Sequence, residues 1–331
     1  MHFRLVICFL LSLFSGALSA QSGNDAYQFL NIPASVSAAG VGGNSVSSMV
    51  NDLNMAFHNP AILSTEMDKD FAVGYMHYVA DINIGSMAFA RKINDRSAWM
   101  AGIRYVDYGA MLWTTPENEI LGNTYAQDMA LTGGYSWKMS EKLRAGGNVS
   151  LIYSALDEYK SAAFAVDLGL YYNDPSHFFS GGLVIKSLGA QVVSYDQTYE
   201  DLPLDVQIGV SKKLAHAPFR FTLTAQNLLN YNLPYLKGAV SSKDDFTSTI
   251  FKHLVGGIEF IPSENFLLSF GYNYRRKTEL SIDQRNPFGG FSTGLSMRVK
   301  KLRVGASFAK YHLSGSSLQM TLGMNMANFG L

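Results

Sequence analysis

From about residue 69 onward, hydrophobic and polar residues alternate with a period of two. In the C-terminal stretch Leu318, Met320, Leu322, Met324 and Met326 alternate with Gln319, Thr321, Gly323, Asn325 and Ala327. Leu268, Phe270 and Tyr272 alternate with Ser269, Gly271 and Asn273, and Phe219, Phe221 and Leu223 with Arg220, Thr222 and Thr224. Successive side chains of a strand point to opposite faces, so each stretch has one greasy face and one polar or small one. The pattern predicts fourteen strands, near 69–79, 82–91, 97–108, 125–138, 142–153, 160–173, 178–188, 202–213, 218–229, 251–261, 265–275, 288–299, 301–312 and 316–328.

Their length sets the environment. Most run to ten residues or more, whereas strands of globular proteins cluster near five or six and a tilted strand needs about 9–11 to cross a bilayer. The connections give a second test, because outer-membrane barrels alternate short periplasmic turns with longer outside loops. Every even-numbered connection is brief: 92–96, 139–141, 174–177, 214–217, 262–264 and the pair Lys300 and Lys301. The odd-numbered ones include 109–124, 189–201, 231–250 and 276–287. Hydrocarbon offers no hydrogen bonds to an open sheet edge, so a spanning sheet must close on itself. The expected architecture is all-β, a 14-stranded antiparallel transmembrane β-barrel over residues 69–331 in a bacterial outer membrane. Tyr75, Tyr78, Trp99, Tyr105, Tyr108, Trp113, Trp137, Tyr171 and Tyr272 lie near strand ends and suit interfacial girdles. A soluble sandwich or propeller is the alternative, but no blade-length repeat is present.

The residues before the barrel differ in kind. Arg4, an apolar run over 5–18 and the small residues Ala17, Ser19 and Ala20 read as a signal peptide over residues 1–20. Its apolar run falls short of the roughly 20 residues a spanning helix requires. Residues 21–68 are rich in Ala, Ser, Gly and Asn and lack a long alternation. Tyr27, Phe29, Leu30, Leu53, Phe57 and Leu63 favour burial there, which suits an N-terminal plug segment inside the lumen.

Composition narrows the chemistry. Of 331 residues 16% are charged, and 26 basic residues balance 26 acidic ones, so no basic field attracts nucleic acid. The single cysteine, Cys8, lies in the signal, leaving the mature chain without a disulfide, a thiolate nucleophile or a Cys metal site. His58, His77, His177, His216, His253 and His312 stand alone, without the i, i+4 pairing of a helical zinc site. Gly40, Gly42 and Gly43 lack the leading strand and following lysine of a phosphate loop. Gly290-Phe291-Ser292-Thr293-Gly294 matches the hydrolase pattern, but that pattern needs a turn from strand into helix, and here it lies within a strand. No catalytic residue, cofactor or metal is expected, and the protein reads as a non-enzyme.

One resemblance adds to this. The run Tyr27-Gln28-Phe29-Leu30-Asn31-Ile32-Pro33-Ala34-Ser35, then Ala38-Ala39-Gly40-Val41-Gly42-Gly43-Asn44, Asp52, and Ala56-Phe57-His58-Asn59-Pro60-Ala61-Ile62-Leu63 resembles the start of PorQ proteins of the type IX secretion system. Gly102-Ile103-Arg104-Tyr105-Val106-Asp107-Tyr108-Gly109 and 211–221 are similar too. The plug motif Asn59-Pro60-Ala61 also resembles the wider superfamily of PorV and the fatty-acid transporter FadL. The resemblance implies a FadL-like barrel in an attachment complex, with PorZ-like, PorU-like and PorV-like partners. In that complex cargo loses its C-terminal signal and is joined to lipopolysaccharide, and this chain would hold the PorZ-like subunit at the outer membrane. A FadL-type transporter of hydrophobic small molecules and a PorV-like cargo shuttle are the competing functions. The longest outside loop, 231–250, makes Tyr235, Leu236 and Phe246 the candidate partner contacts, since exposed aromatic and apolar groups suit an interface.

Overall fold

The computed structural model describes residues 25–115, 119–230, 246–279, 288–310 and 315–330. The signal peptide expected over residues 1–20 lies outside them. The alternating stretches form fourteen strands: β1 (Asp70–His77), β2 (Asn83–Asn94), β3 (Ser97–Thr114), β4 (Ile120–Lys138), β5 (Leu143–Leu156), β6 (Tyr159–Asp174) and β7 (Phe179–Val193) make one half. The other half is β8 (Asp205–Lys213), β9 (Phe219–Ala225), β10 (Leu254–Ser263), β11 (Phe266–Asn273), β12 (Phe291–Val299), β13 (Leu302–Lys310) and β14 (Ser316–Asn325). Each pairs antiparallel with its sequence neighbours, and β1 closes on β14 from Asp70↔Asn325 to His77↔Leu318. The closed 14-strand barrel is the expected one.

The two faces sort as the alternation predicts. Phe270 is 55% and Met320 52% exposed on the outer face, whereas Gln319, Asn273 and Thr222 are buried within the barrel. A belt of exposed Leu, Val, Ile and Phe covers the outside, including Leu131, Leu151, Phe164, Ile208, Phe221 and Leu322. Water would penalise such a belt, while a bilayer is its natural solvent. No helix among the described residues is long and apolar enough to cross a membrane, so the strands do the crossing.

The girdle expectation holds only in part. Tyr75, Tyr105 and Trp137 are exposed on the outside. Tyr171 instead turns inward, and its hydroxyl donates to the Ser48 carbonyl at 3.2 Å. Tyr108 likewise packs inward and donates to Asp128 at 2.6 Å.

Outside loops depart most from expectation. Residues 109–124, expected as a loop, largely continue β3 and β4 into a tall hairpin. β7 runs on to Val193 in the same way. β9 stops at Ala225, and Asn227 beyond it takes a left-handed φ of 55°. β11 ends at Asn273, whose Oδ1 accepts the Arg276 N–H at 3.2 Å. That bond caps a short helix over Tyr274–Glu279, since Asn favours helix starts.

Most of the large fully buried side chains belong to the N-terminal segment or the inner wall, among them Phe29, Leu53, Met55, Leu63, Met100 and Val106. Residues 25–67 thus fold inside the barrel. They form a helix α1 (Val36–Gly40) and 3-10 turns at Gln28–Asn31, Leu53–Phe57, Pro60–Ile62 and Thr65–Met67.

Candidate functional site

A chain lying inside a barrel must find partners for its own backbone, because an unpaired buried amide group costs about 1–3 kcal/mol. Here the wall supplies them. Arg104 of β3 donates to the carbonyls of Phe29, Leu30 and Ile32, at 3.2 Å to Leu30 and 3.0 Å to Ile32. Its guanidinium also lies over the Phe29 ring, 5.7 Å from the centroid. Ser136 of β4 donates to the Leu63 carbonyl at 2.7 Å, and Asn148 of β5 to Ala56 at 2.9 Å. On the far side, Asn273 of β11 donates to Gly42 at 3.2 Å, Ser292 of β12 to Gly40 at 3.1 Å, and Gln319 of β14 to Pro33 at 3.2 Å. Arg303 of β13 joins the Asn51 carbonyl to the Asp70 carboxylate.

Asn59, Pro60 and Ala61 sit where this fit is tightest. The Asn59 Oδ1 accepts the Ala61 N–H at 3.0 Å and starts the turn, with Pro60 at the first position, where its missing N–H costs nothing. Its Nδ2 donates to Val46 O at 2.8 Å and to Leu170 O at 3.2 Å. The wall opposite is glycine. A Cβ at Gly146 or Gly169 would strike Pro60 and Asn59, and one at Gly182 would collide with the Val46 carbonyl. The motif is therefore a backbone seat, and it contacts no solvent.

Below the outer mouth lies a charged group of the buried Arg104, Lys186 and Asp205 and the half-buried Asp167, with His58 of the N-terminal segment among them. His58 Nε2 accepts the Ala34 N–H at 3.3 Å. Burial, followed by the charges of Lys186 and Arg104, holds its imidazole well below the ordinary histidine range and hence neutral. Deeper in the wall, Arg220 and Glu259 form a buried pair at 2.6 Å.

The remaining space is divided. A cavity of about 420 Å³ opens at the outer end, lined by His58, Lys186, Asp205, Gln207, Asn273 and Arg275 among others. Two more, of about 220 and 310 Å³, open at the inner end on either side of residues 49–51. The outer cavity shares no lining residue with the inner two. Its wall mixes charge of both signs and amides with the apolar side chains of Phe29, Ile32, Tyr78, Ile82 and Tyr108.

The candidate catalytic patterns do not assemble. Ser292 sits within β12, spends its hydroxyl on Gly40 and has no helix after it. His177 meets Asp174 at 2.9 Å in an exposed periplasmic turn, and His77 meets Asn83 at the outer rim. Tyr235 and Leu236 lie outside the described residues. So does the side chain of Phe246, which begins a helix α2 (Phe246–His253). Arg104 and the glycines of the seat escaped the reading of the sequence. Their partners are far away in the chain, and only an inward-facing Arg amid small residues would have marked them.

Residues 20–240 match the family model described as type IX secretion system protein PorV. No curated protein sequence matches the chain. Among solved structures, it is similar to a mutant of the TodX monoaromatic hydrocarbon channel, with 12% identity, TM-score 0.55, and 88% of this chain and 98% of that one covered. The toluene transporter TbuX of Ralstonia pickettii gives 12% identity and TM-score 0.53 over 89% and 97%. A FadL homologue of Pseudomonas aeruginosa gives 12% and 0.51 over 89% and 98%. At such identity these structures speak for the fold, which is that of outer-membrane channels and not of enzymes.

Proposed function

Because the chain belongs to the PorV family of type IX secretion system proteins and is an outer-membrane barrel, we propose that it works as a non-enzymatic docking base of the PorQ type. In this reading residues 1–20 direct export, residues 21–68 are a permanent plug, and the outside surface holds a PorZ-like subunit. That subunit works there with PorU-like and PorV-like proteins, joining cargo to lipopolysaccharide. The observation that carries the reading is the plug, whose carbonyls are tied to inward side chains on β3, β4, β5 and β11 to β14. A base needs a lumen that stays rigid.

The test is a deletion strain. Loss of the PorZ-like subunit from the cell surface and failure of cargo attachment, with uptake of hydrophobic compounds unchanged, is the expected result. Retention of that subunit with impaired uptake would contradict the base and favour the transport that the printed names of TodX and TbuX describe. Retention with one class of cargo trapped at the membrane would favour a shuttle.

A further inference from the structure

Five adjacent strands outgrow the others at the outer end. β3 and β4 have 18 and 19 residues and β5 to β7 have 14, 16 and 15. By contrast, β8 to β14 and β1 have between 7 and 10. β2 pairs with β3 only as far as Asn83↔Asp107, while β3 and β4 stay paired up to Thr114↔Ile120. Residues 97–107 already supply the roughly 9–11 residues of a bilayer crossing, so 108–114 stand above the membrane. Along that stretch one side of β3 faces no strand among the described residues.

The lowest part of this edge is guarded. A bulge falls between Asp107 and Ala110, and the Asp107 carboxylate accepts the Gly109 N–H at 3.0 Å. Above it β3 itself carries no extra residue: the second irregularity, between Trp113 and Thr114, places its extra residue, Leu121, on β4. Natural sheets protect free edges with lysine, proline, bulges or covering loops, because a bare edge is a template for another strand. Ala110-Met111-Leu112-Trp113-Thr114 carries neither charge nor proline. Leu112 is 65% and Trp113 58% exposed, and both lie beyond the 97–107 stretch that supplies the crossing.

We propose that the outer edge of β3 over residues 110–114 is a strand-docking site, where an extended segment of an extracellular partner protein pairs with β3. Main-chain hydrogen bonds supply the affinity, and apolar side chains at alternate positions of the segment meet Leu112 on one face and Trp113 on the other. Charge says more about the occupant. Asp81, Asp107 and Glu119 are exposed in the turns and strand ends beside this edge. A matching segment therefore carries Lys or Arg beside its apolar positions. A second copy of this chain would bring the same acids against these, and like charges directly opposite are destabilising. The inference rests on the docking-base reading and names its surface.

Two measurements test it, both with the full chain in a strain lacking the chromosomal copy. First, Leu112→p-benzoylphenylalanine is irradiated in intact cells, with Leu151→p-benzoylphenylalanine on the lipid face as control. The expected product at position 112 links one exported protein through a peptide of alternating apolar residues flanked by Lys or Arg. Cross-links to lipopolysaccharide alone, to a second copy, or to nothing beyond the control overturn the proposal. Second, Ala110→Lys with Thr114→Lys should lower cargo attachment at least tenfold in a barrel that remains heat-modifiable on gels, while Ala110→Glu with Thr114→Glu keeps at least half. Parent-level attachment in the lysine pair overturns the strand site even if the deletion strain fails. Normal attachment in the deletion strain itself would instead overturn the docking base.

Discussion

The Val46 carbonyl rests on Gly182 with no room for a methyl group between them. The neighbour is backbone, which cannot swing aside, so Gly182→Ala should destabilise the seated segment by about 1–3 kcal/mol, as overpacking does. Asn59→Ala removes the partners of the Val46 carbonyl and the Ala61 N–H, at about 1–3 kcal/mol for each buried group left unpaired. Both effects are read as a lower urea midpoint for protease protection of residues 25–67. His58 adds a pH dependence with a definite sign. Its seated form is held neutral, while a released imidazole takes up a proton below about pH 6.5. Stability is therefore fully present above that value and falls as the pH drops below it. Protease cleavage within 25–67 should rise between pH 7.5 and pH 5, and His58→Gln should flatten the rise. Asn59-Pro60-Ala61 was marked in the sequence by resemblance alone, and the turn that Asn59 and Pro60 start was not read from it. The glycines facing it were not legible either, because they lie on strands about a hundred residues away and a glycine in a strand looks alike whether it meets lipid, lumen or a carbonyl.

At the scale of the strand, the alternation reads best where two solvents compete for the two faces. Phe270 and Asn273 differ in burial because β11 has hydrocarbon on one side and the plug on the other. Phe270→Arg should accordingly cost about 2–4 kcal/mol if the site is near mid-bilayer. Folding into lipid vesicles followed by urea titration measures this, and a cost near zero would place Phe270 outside the membrane. Above the bilayer water bathes both faces and the pattern loses its cause. Residues 109–124 were read as a loop for that reason. Yet β3 and β4 pair through most of the stretch. Tyr171 misled differently. Its place near a strand end suggests a girdle, but its parity turns it inward to Ser48.

Taken whole, the molecule is a closed wall around a segment of its own chain. Closure was legible from strand count, strand length and the parity of the turns. The tightness of the plug was not, because it depends on bonds such as Arg104 to Leu30 and Gln319 to Pro33 that join distant parts of the chain. A docking base should work with its lumen sealed, whereas a conduit should not. The Ser47 and Ser211 hydroxyl oxygens lie 2.8 Å apart, one on the plug and one on β8. Cys8 is the only cysteine of the sequence, so Ser47→Cys with Ser211→Cys should give one covalent lock in an oxidising, exported setting. The most direct measurement is cargo attachment and surface retention of the PorZ-like subunit in cells whose barrel is fully locked. A docking base requires both to match the parent strain with the lock closed. A locked barrel that behaves like the deletion, and recovers when the disulfide is reduced, would contradict it.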